Sequence, residues 1–324
     1  MRKALFGPAS VGSALFSALA TVAMLFGCAS AHTLQAVDAR AVPPDAGIPG
    51  AKRFVFTQWA GPPVPVWYLR PDSAGADAPV VFVMHGVRRD ADRYLKEWVD
   101  VARQHRFVVV VPEFTTKDFP GARSYNFGAA FNEDTTEAPR ERWSYSAIEP
   151  IFDAVRSVEG LKAKQYWLFG HSAGAQFVHR FAMLGLGKRM KNAISANAGS
   201  YMLATTNVHW PFGVSGAPGG PFDFPRAFAA PMIVLLGDAD TDPSHPSLPH
   251  QPEADAQGLH RFARGQKFYN DARLAAATAN AKLAWSCAIA SGVAHDNGRM
   301  AGFAALLITG RAHVSPGADC ARLP

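Results

Sequence analysis

One run of residues, Trp167-Leu168-Phe169-Gly170-His171-Ser172-Ala173-Gly174, has the composition of an activated nucleophile. An apolar stretch leads directly into Gly-x-Ser-x-Gly, and Phe177, Val178, Phe181 and Leu184 follow at helical spacing. A serine at the tip of a strand-to-helix turn sits in a strained backbone conformation, and small residues two before and two after it let the strand and helix approach closely. The hydroxyl then stands at the carboxyl edge of a sheet, with a helix N-terminus aimed at it. The motif occurs once. The plainer reading, a turn serine flanked by glycines, does not account for its place between a strand pattern and a helix pattern.

A serine hydroxyl is a weak nucleophile at neutral pH and needs a base. Of the 11 histidines, His295 is the expected base, because it lies in the polar stretch Ser291–Gly292–Val293–Ala294–His295–Asp296–Asn297–Gly298 just after the last core strand pattern. His105, His179 and His313 read as ordinary histidines, and His85 as a residue that packs or orients its own turn. The imidazole in turn needs a carboxylate to hold its tautomer and stabilise its charged form. Leu235-Leu236-Gly237-Asp238-Ala239-Asp240 ends an apolar strand pattern; Asp240 is the preferred acid, Asp238 the second choice and Asp242 the third. The oxyanion that forms on the attacked carbonyl needs two amide donors. The turn His85-Gly86-Val87 supplies the Val87 amide, and Ala173 supplies the second.

These groups can meet only if strand ends bring them together. Continuous apolar runs at 80–84, 107–111, 166–169, 232–236 and 283–290 read as strands buried on both faces, as in a parallel sheet. Residues 54–56 and 64–69 read as two strands joined by a turn at Gly61-Pro62-Pro63. Helical stripes lie between them: Tyr94, Leu95, Trp98, Val101 and Ala102, with Asp90 as N-cap; Ile148, Ile151, Phe152, Val155 and Val158; and residues 300–308. Alternating strands and helices predict a doubly wound, mostly parallel α/β sheet of about eight strands with helices on both faces. Two long stretches, 115–142 and 201–226, are rich in Gly, Pro and aromatics and are expected to fold over one end of the sheet as pocket walls. Trp143, Tyr145, Trp210 and Phe212 are the expected aromatic lining.

Asp238, Asp240, Asp242, His245, His250 and Glu253 crowd one segment and could suggest a metal. The prolines between them and the lack of ligand spacing favour a polar loop at the pocket rim, so neither metal nor cofactor is expected.

The chain has 324 residues, 48% hydrophobic and 18% charged, which excludes disorder and coiled coil; 3 Cys are too few for a small disulfide scaffold. Arg2 and Lys3 precede a stretch, 4–31, without a single charge, the layout of a secretory signal peptide. Ala29-Ser30-Ala31 suits ordinary cleavage, giving a signal of 1–31; Leu25-Phe26-Gly27-Cys28 suits lipoprotein processing, with Cys28 as a lipidated first residue. Removing two positive charges takes the net +6 to +4, too little to indicate a nucleic-acid partner. Lys188-Arg189-Met190-Lys191 and Arg140-Glu141-Arg142 read as solvated faces. Residues 32–50 read as a flexible tether, and 51–324 as one catalytic domain. Export, to the periplasm or beyond, or to a membrane through a lipid on Cys28, places Cys287 and Cys320 in an oxidising compartment, where one disulfide is expected between them.

His85-Gly86, Gly170–Gly174, Gly237–Asp240 and Gly292–Asp296 together make the chain resemble an α/β-hydrolase, in the order Ser172…Asp240…His295. Within that superfamily it is similar to secreted esterases grouped with poly(3-hydroxybutyrate) depolymerases and feruloyl esterases. The resemblance implies a serine carboxylesterase acting through an acyl-enzyme on Ser172, on a small-molecule or oligomeric ester such as a polyester oligomer or an aromatic or hydroxyacyl ester. A peptidase or acyltransferase on the same scaffold is the alternative, and a non-catalytic cell-surface binding protein of the same fold is another. No substrate-binding domain of the kind carried by extracellular polymer depolymerases is visible.

Overall fold

The computed structural model describes residues 40–41 and 47–324, which belong to one compact unit, Gln35–Pro324. The signal segment, Cys28 and most of the stretch read as a tether lie outside the described residues. Among the described residues ten strands form a single sheet in the order β1-β2-β3-β5-β4-β6-β7-β8-β9-β10. They are β1 (Arg40–Ala41), β2 (Ala51–Phe56), β3 (Val64–Leu69), β4 (Val80–Met84), β5 (Val108–Pro112), β6 (Tyr166–His171), β7 (Met190–Ala196), β8 (Met232–Gly237), β9 (Trp285–Ala290) and β10 (Ala321–Leu323). The first three pair antiparallel, β3 also pairs antiparallel with β5, and every pair from β5 to β10 is parallel. The sheet exceeds the expected eight strands by two short edge pieces and contains one unexpected interior strand.

That interior strand, β7, begins inside Lys188-Arg189-Met190-Lys191, which reads as a solvated face. Its start is mixed, a buried Met190 followed by exposed Lys191 and half-buried Asn192, so the sequence shows only a short apolar signal, while Ala193–Ala196 are fully buried between β6 and β8. At one edge, Arg40 and Ala41 pair with Arg53 and Lys52, so part of the expected tether is ordered in the sheet. At the other, β10 runs parallel to β9, tied to it by the Cys287–Cys320 disulfide.

The helices are α1 (Ala91–His105), the short α2 (Gly121–Ser124), α3 (Ile148–Glu159), α4 (Ala173–Met183), α5 (Phe224–Ala229), the short α6 (Pro252–Asp255), α7 (Arg261–Thr278) and α8 (Asn297–Ile308). Side chains alternate across a strand, so each strand feeds two cores. Val81, Val83, Val109, Val111, Phe169 and Ile194 pack under α1 and α8. Val80, Phe82, Val108, Val110, Leu168 and Ala193 pack with α3, α4, α5 and α7. β4, β5, β6 and β8 are buried at every residue, as expected of strands covered on both faces. Asp90 does occupy the N-cap of α1, but its carboxylate takes the Arg93 Nε at 2.7 Å instead of a backbone amide. Among the described residues no helix is long and apolar enough to cross a membrane.

Candidate active site

Ser172 sits between β6 and α4 with φ 60° and ψ −118°, a left-handed-side conformation that a residue with a Cβ adopts only under constraint. The constraint is visible in the flanking glycines. A Cβ on Gly170 would stand 2.2 Å from the Gly174 carbonyl oxygen, and one on Gly174 would stand 1.9 Å from the Met84 carbonyl oxygen. The Ser172 amide donates to Ala196 O at 3.1 Å, which fastens the turn to the end of β7. Ala173 is the first residue of α4, so its N–H is one of the helix's unpaired N-terminal donors. Gly86 lies beside it: a Cβ there would be 3.7 Å from Ser172 Cβ. The turn that carries Val87 therefore abuts the serine.

His295 and Asp240 meet although 55 residues separate them: His295 Nδ1 and Asp240 Oδ2 are 2.7 Å apart. Asp240 is only 2% exposed, while the alternatives face elsewhere. Asp238 accepts from the Gly292 amide and from Arg322, and Asp242 accepts from Ser244. The loops that carry acid and base are joined through backbone. Asp238 N donates to Ala290 O and Ala239 N to Val293 O, and a Cβ on Gly237 would meet Val293 O at 2.3 Å. Asn197, at the end of β7 with φ 50°, accepts from Gly237 N and donates to Ala294 O, so one side chain holds both loops.

Ser172, Val87 and His295 share the wall of a cavity of about 310 Å³ with Arg88, Asp90, Arg93, Tyr94, Glu97, His171, His245, Ser247, Asp296 and Asn297. This wall is mostly polar. The four aromatic residues expected as its lining are not part of it. Trp143 and Tyr145 are buried in the core against α3 and α4, Tyr145 stacking edge-on against Phe177. Trp210 packs near Phe127 and Phe131, and the Phe212 carbonyl and amide bond within its own loop. The segments 115–142 and 201–226 meet one another there instead of walling this cavity, since their aromatics find an apolar partner in each other. The crowded acidic segment does reach the cavity rim as a polar loop, through His245 and the neighbouring Ser247; among the described residues, no group of three His, Cys, Asp or Glu is placed to hold a metal ion.

Several site residues are not evident from sequence. His171 lies against His295, rings 4.4 Å apart, and its Nδ1 is 3.2 Å from the Tyr94 hydroxyl. His245 also packs edge-on to His295, at 5.1 Å between centroids. Burial holds the His171 imidazole well below the ordinary histidine range, reinforced by the nearby His295, Arg261, Arg93 and His245. Burial also lowers the pKa of His295; its hydrogen bond to the Asp240 carboxylate opposes this, and the Arg261 charge adds to the lowering. His85 is a packed, neutral residue, accepting the Phe114 amide on Nε2 at 3.0 Å. The x position of Gly-x-Ser-x-Gly was the one available signal for His171; Tyr94 reads from sequence only as a member of an apolar stripe.

No protein-family model and no curated protein sequence matches the chain. Solved structures do. A poly(aspartic acid) hydrolase-1 from Sphingomonas sp. KT-1 is 41% identical, with TM-score 0.77, covering 81% of this chain and 99% of that one. LpqC, a poly(3-hydroxybutyrate) depolymerase from Bordetella parapertussis, is 32% identical, with TM-score 0.76, over 81% of this chain and 91% of that one. An S-formylglutathione hydrolase from Agrobacterium tumefaciens shares the fold at 16% identity and TM-score 0.53, over 85% of this chain and 98% of that one. With the strained Ser172 turn, the sheet order and these likenesses in place, the chain belongs to the α/β-hydrolase superfamily, among its esterase-type hydrolases.

Proposed function

We propose that the protein is an exported serine hydrolase that cleaves carboxylic esters through an acyl-enzyme on Ser172. The observation that carries this is the strained Ser172 turn opening on a cavity shared with His295, whose Nδ1 is bound to buried Asp240. With its Nδ1–H donated to Asp240, His295 leaves Nε2 free as the base. Ser172 Oγ attacks the acyl carbonyl as its proton passes to Nε2. The Val87 and Ala173 amides bind the oxyanion, and the leaving alcohol takes the proton from the imidazolium. Water, deprotonated by His295, then attacks the acyl-serine, and the returning proton restores Ser172. These steps need no cofactor.

The polar cavity wall favours compact hydroxyacyl units, as in polyester oligomers, over extended aromatic acyl groups. The Cys287–Cys320 disulfide suits an exported protein, released or lipid-anchored through Cys28. A second reading, amide cleavage in an acidic polymer, is favoured by the exposed Arg88 on the same wall and by the poly(aspartic acid) hydrolase likeness. A fluorophosphonate probe is expected to label the wild type and not Ser172→Ala; equal labelling of the two refutes the serine assignment. Nitrophenyl acyl esters, hydroxycinnamate esters, hydroxybutyrate oligomers and poly(aspartic acid), assayed side by side, separate the readings. Turnover of the polyamide alone would replace the ester reading, and no turnover of any would support a binding role.

A further inference from the structure

Beyond the three residues of the proposed machinery, a fourth buried ionic group touches it. Asp240 has a different neighbour on each oxygen: Oδ2 binds His295, and Oδ1 faces Arg261 Nη1 at 3.6 Å, an ion pair beyond hydrogen-bond reach. Arg261 opens α7 and its side chain is fully buried. The next amide, Phe262 N, donates to Asp240 O at 3.2 Å, so the helix start is joined to the acid loop through backbone. Arg261 Nη2 donates to Ser247 Oγ at 3.0 Å and lies 3.4 Å from His245 Nδ1, reaching the rim beside His295.

The remaining nitrogens are the informative ones. Nε and Nη1 are buried and have no hydrogen-bond partner. A buried guanidinium with uncommitted N–H groups is destabilising, and a methionine of similar length would fill the space without that cost. Packing therefore does not account for this residue, whereas its charge does. A buried carboxylate needs a counter-charge, and among the described residues Arg261 is the cation in ion-pair range of Asp240.

We propose that Arg261 is a positioning residue that clamps Asp240 and offsets part of its charge, so that His295 remains an unprotonated base to lower pH than the acid–histidine pair alone would allow. The inference rests on the serine hydrolase reading. The Asp240 carboxylate favours the imidazolium form of His295, and a cation on its far oxygen opposes that. The other groups facing His295 are His171 from β6, His245 and Ser247 from the rim loop, Asp296 next in the chain, and, behind His171, Tyr94 and Arg93 of α1. Arg261 itself is also within the field of Arg264 and Tyr201.

The test is the pH dependence of kcat/KM for nitrophenyl acetate on the full exported chain, comparing wild type, Arg261→Met, Arg261→Gln and Arg261→Lys. Thermal melting shows which variants fold, and two neutral replacements guard against loss of one. The neutral variants are expected to move the acid limb upward by roughly one pH unit, the effect of a unit charge a few ångströms away in a partly screened site. Lysine, which keeps the charge without the fork to Ser247, is expected to leave the limb in place. A limb that stays put while the rate falls equally at all pH values would overturn the proposal, as would an equal shift in the lysine variant. Fluorophosphonate labelling at pH 8 keeps the two failures apart: unlabelled wild type sinks the serine reading, whereas normal labelling with an unmoved limb sinks only the role of Arg261.

Discussion

Replacing Gly174 by alanine tests whether close backbone packing is what holds the nucleophile against the oxyanion turn. The added Cβ would stand 1.9 Å from the Met84 carbonyl oxygen, 2.5 Å from its carbon and 2.9 Å from the His85 carbonyl oxygen. All three are backbone atoms, so no side chain can swing aside. Opening the first contact to 3.0 Å, the shortest separation real Cβ atoms show, requires α4 and the end of β4 to part by 1.1 Å. Forced overpacking of this kind costs about 3 kcal/mol, or roughly 6–12 °C in Tm for a domain of this size. Because Val87 stands only three residues past Met84 in the turn His85-Gly86-Val87, the Val87 amide shifts with it. Misplacement by about 1 Å costs on the order of 10²-fold in kcat, equivalent to about 2.7 kcal/mol of transition-state stabilisation. Gly302→Ala is the matched control: it lies exposed on α8 with nothing within 4 Å of the added carbon. There the same change is expected to stabilise by about 0.5–1 kcal/mol and leave kcat alone. Differential scanning fluorimetry and ester hydrolysis read both quantities. A Gly174→Ala protein with wild-type Tm and kcat would refute the packing argument.

Three further outcomes follow from the same structure. Asp240→Asn is expected to lower kcat by about 10⁴ with little change in KM, as in the Ser-His-Asp template, because an amide no longer selects the Nδ1–H tautomer; steady-state kinetics read it, and a small effect would move the acid's role to another residue. Reducing Cys287–Cys320, which closes a loop of sequence separation 33, is expected to destabilise by about 3–4 kcal/mol in urea unfolding; an unchanged midpoint would show that β10 contributes nothing to the cooperative unit. His85, held down to about 3 by burial and then by the Arg89 charge, and His171 and His179, both held low chiefly by burial, are neutral in the folded chain. Their unfolded values lie near 6.5, so the stabilisation is complete above that pH and is lost as pH falls below it, by about 1.4 kcal/mol per pH unit for each histidine. Urea midpoints should therefore drop steeply between pH 6.5 and 5, and less steeply in His85→Gln; a flat profile over that range would contradict the burial argument.

What was legible in the sequence divides along physical lines. The nucleophile turn is written locally, because its strained geometry demands small residues at fixed offsets from Ser172. The buried strands β4, β5, β6 and β8 are written as unbroken apolar runs, since both faces are covered. β7 was not, because Met190, Lys191 and Asn192 give it a mixed start, and its burial comes from neighbours distant in the chain. The aromatic lining failed for a related reason. Trp143, Tyr145, Trp210 and Phe212 declare only that they seek apolar surroundings; whether a pocket or a core provides them depends on which loop lies opposite.

The superfamily, the turn that carries Ser172 and the order of the candidate serine, acid and histidine are readable in the chain, because those depend on local turn chemistry and on strand and helix periodicity. Asp240, already the first choice among the three aspartates, is the one the fold brings to His295, and only the fold shows that His171, His245, Tyr94 and Arg261 surround the pair. Partnership across gaps of tens of residues is set by strand order and loop closure, through contacts such as those of Asn197 and Gly237, and no spacing within the chain encodes it.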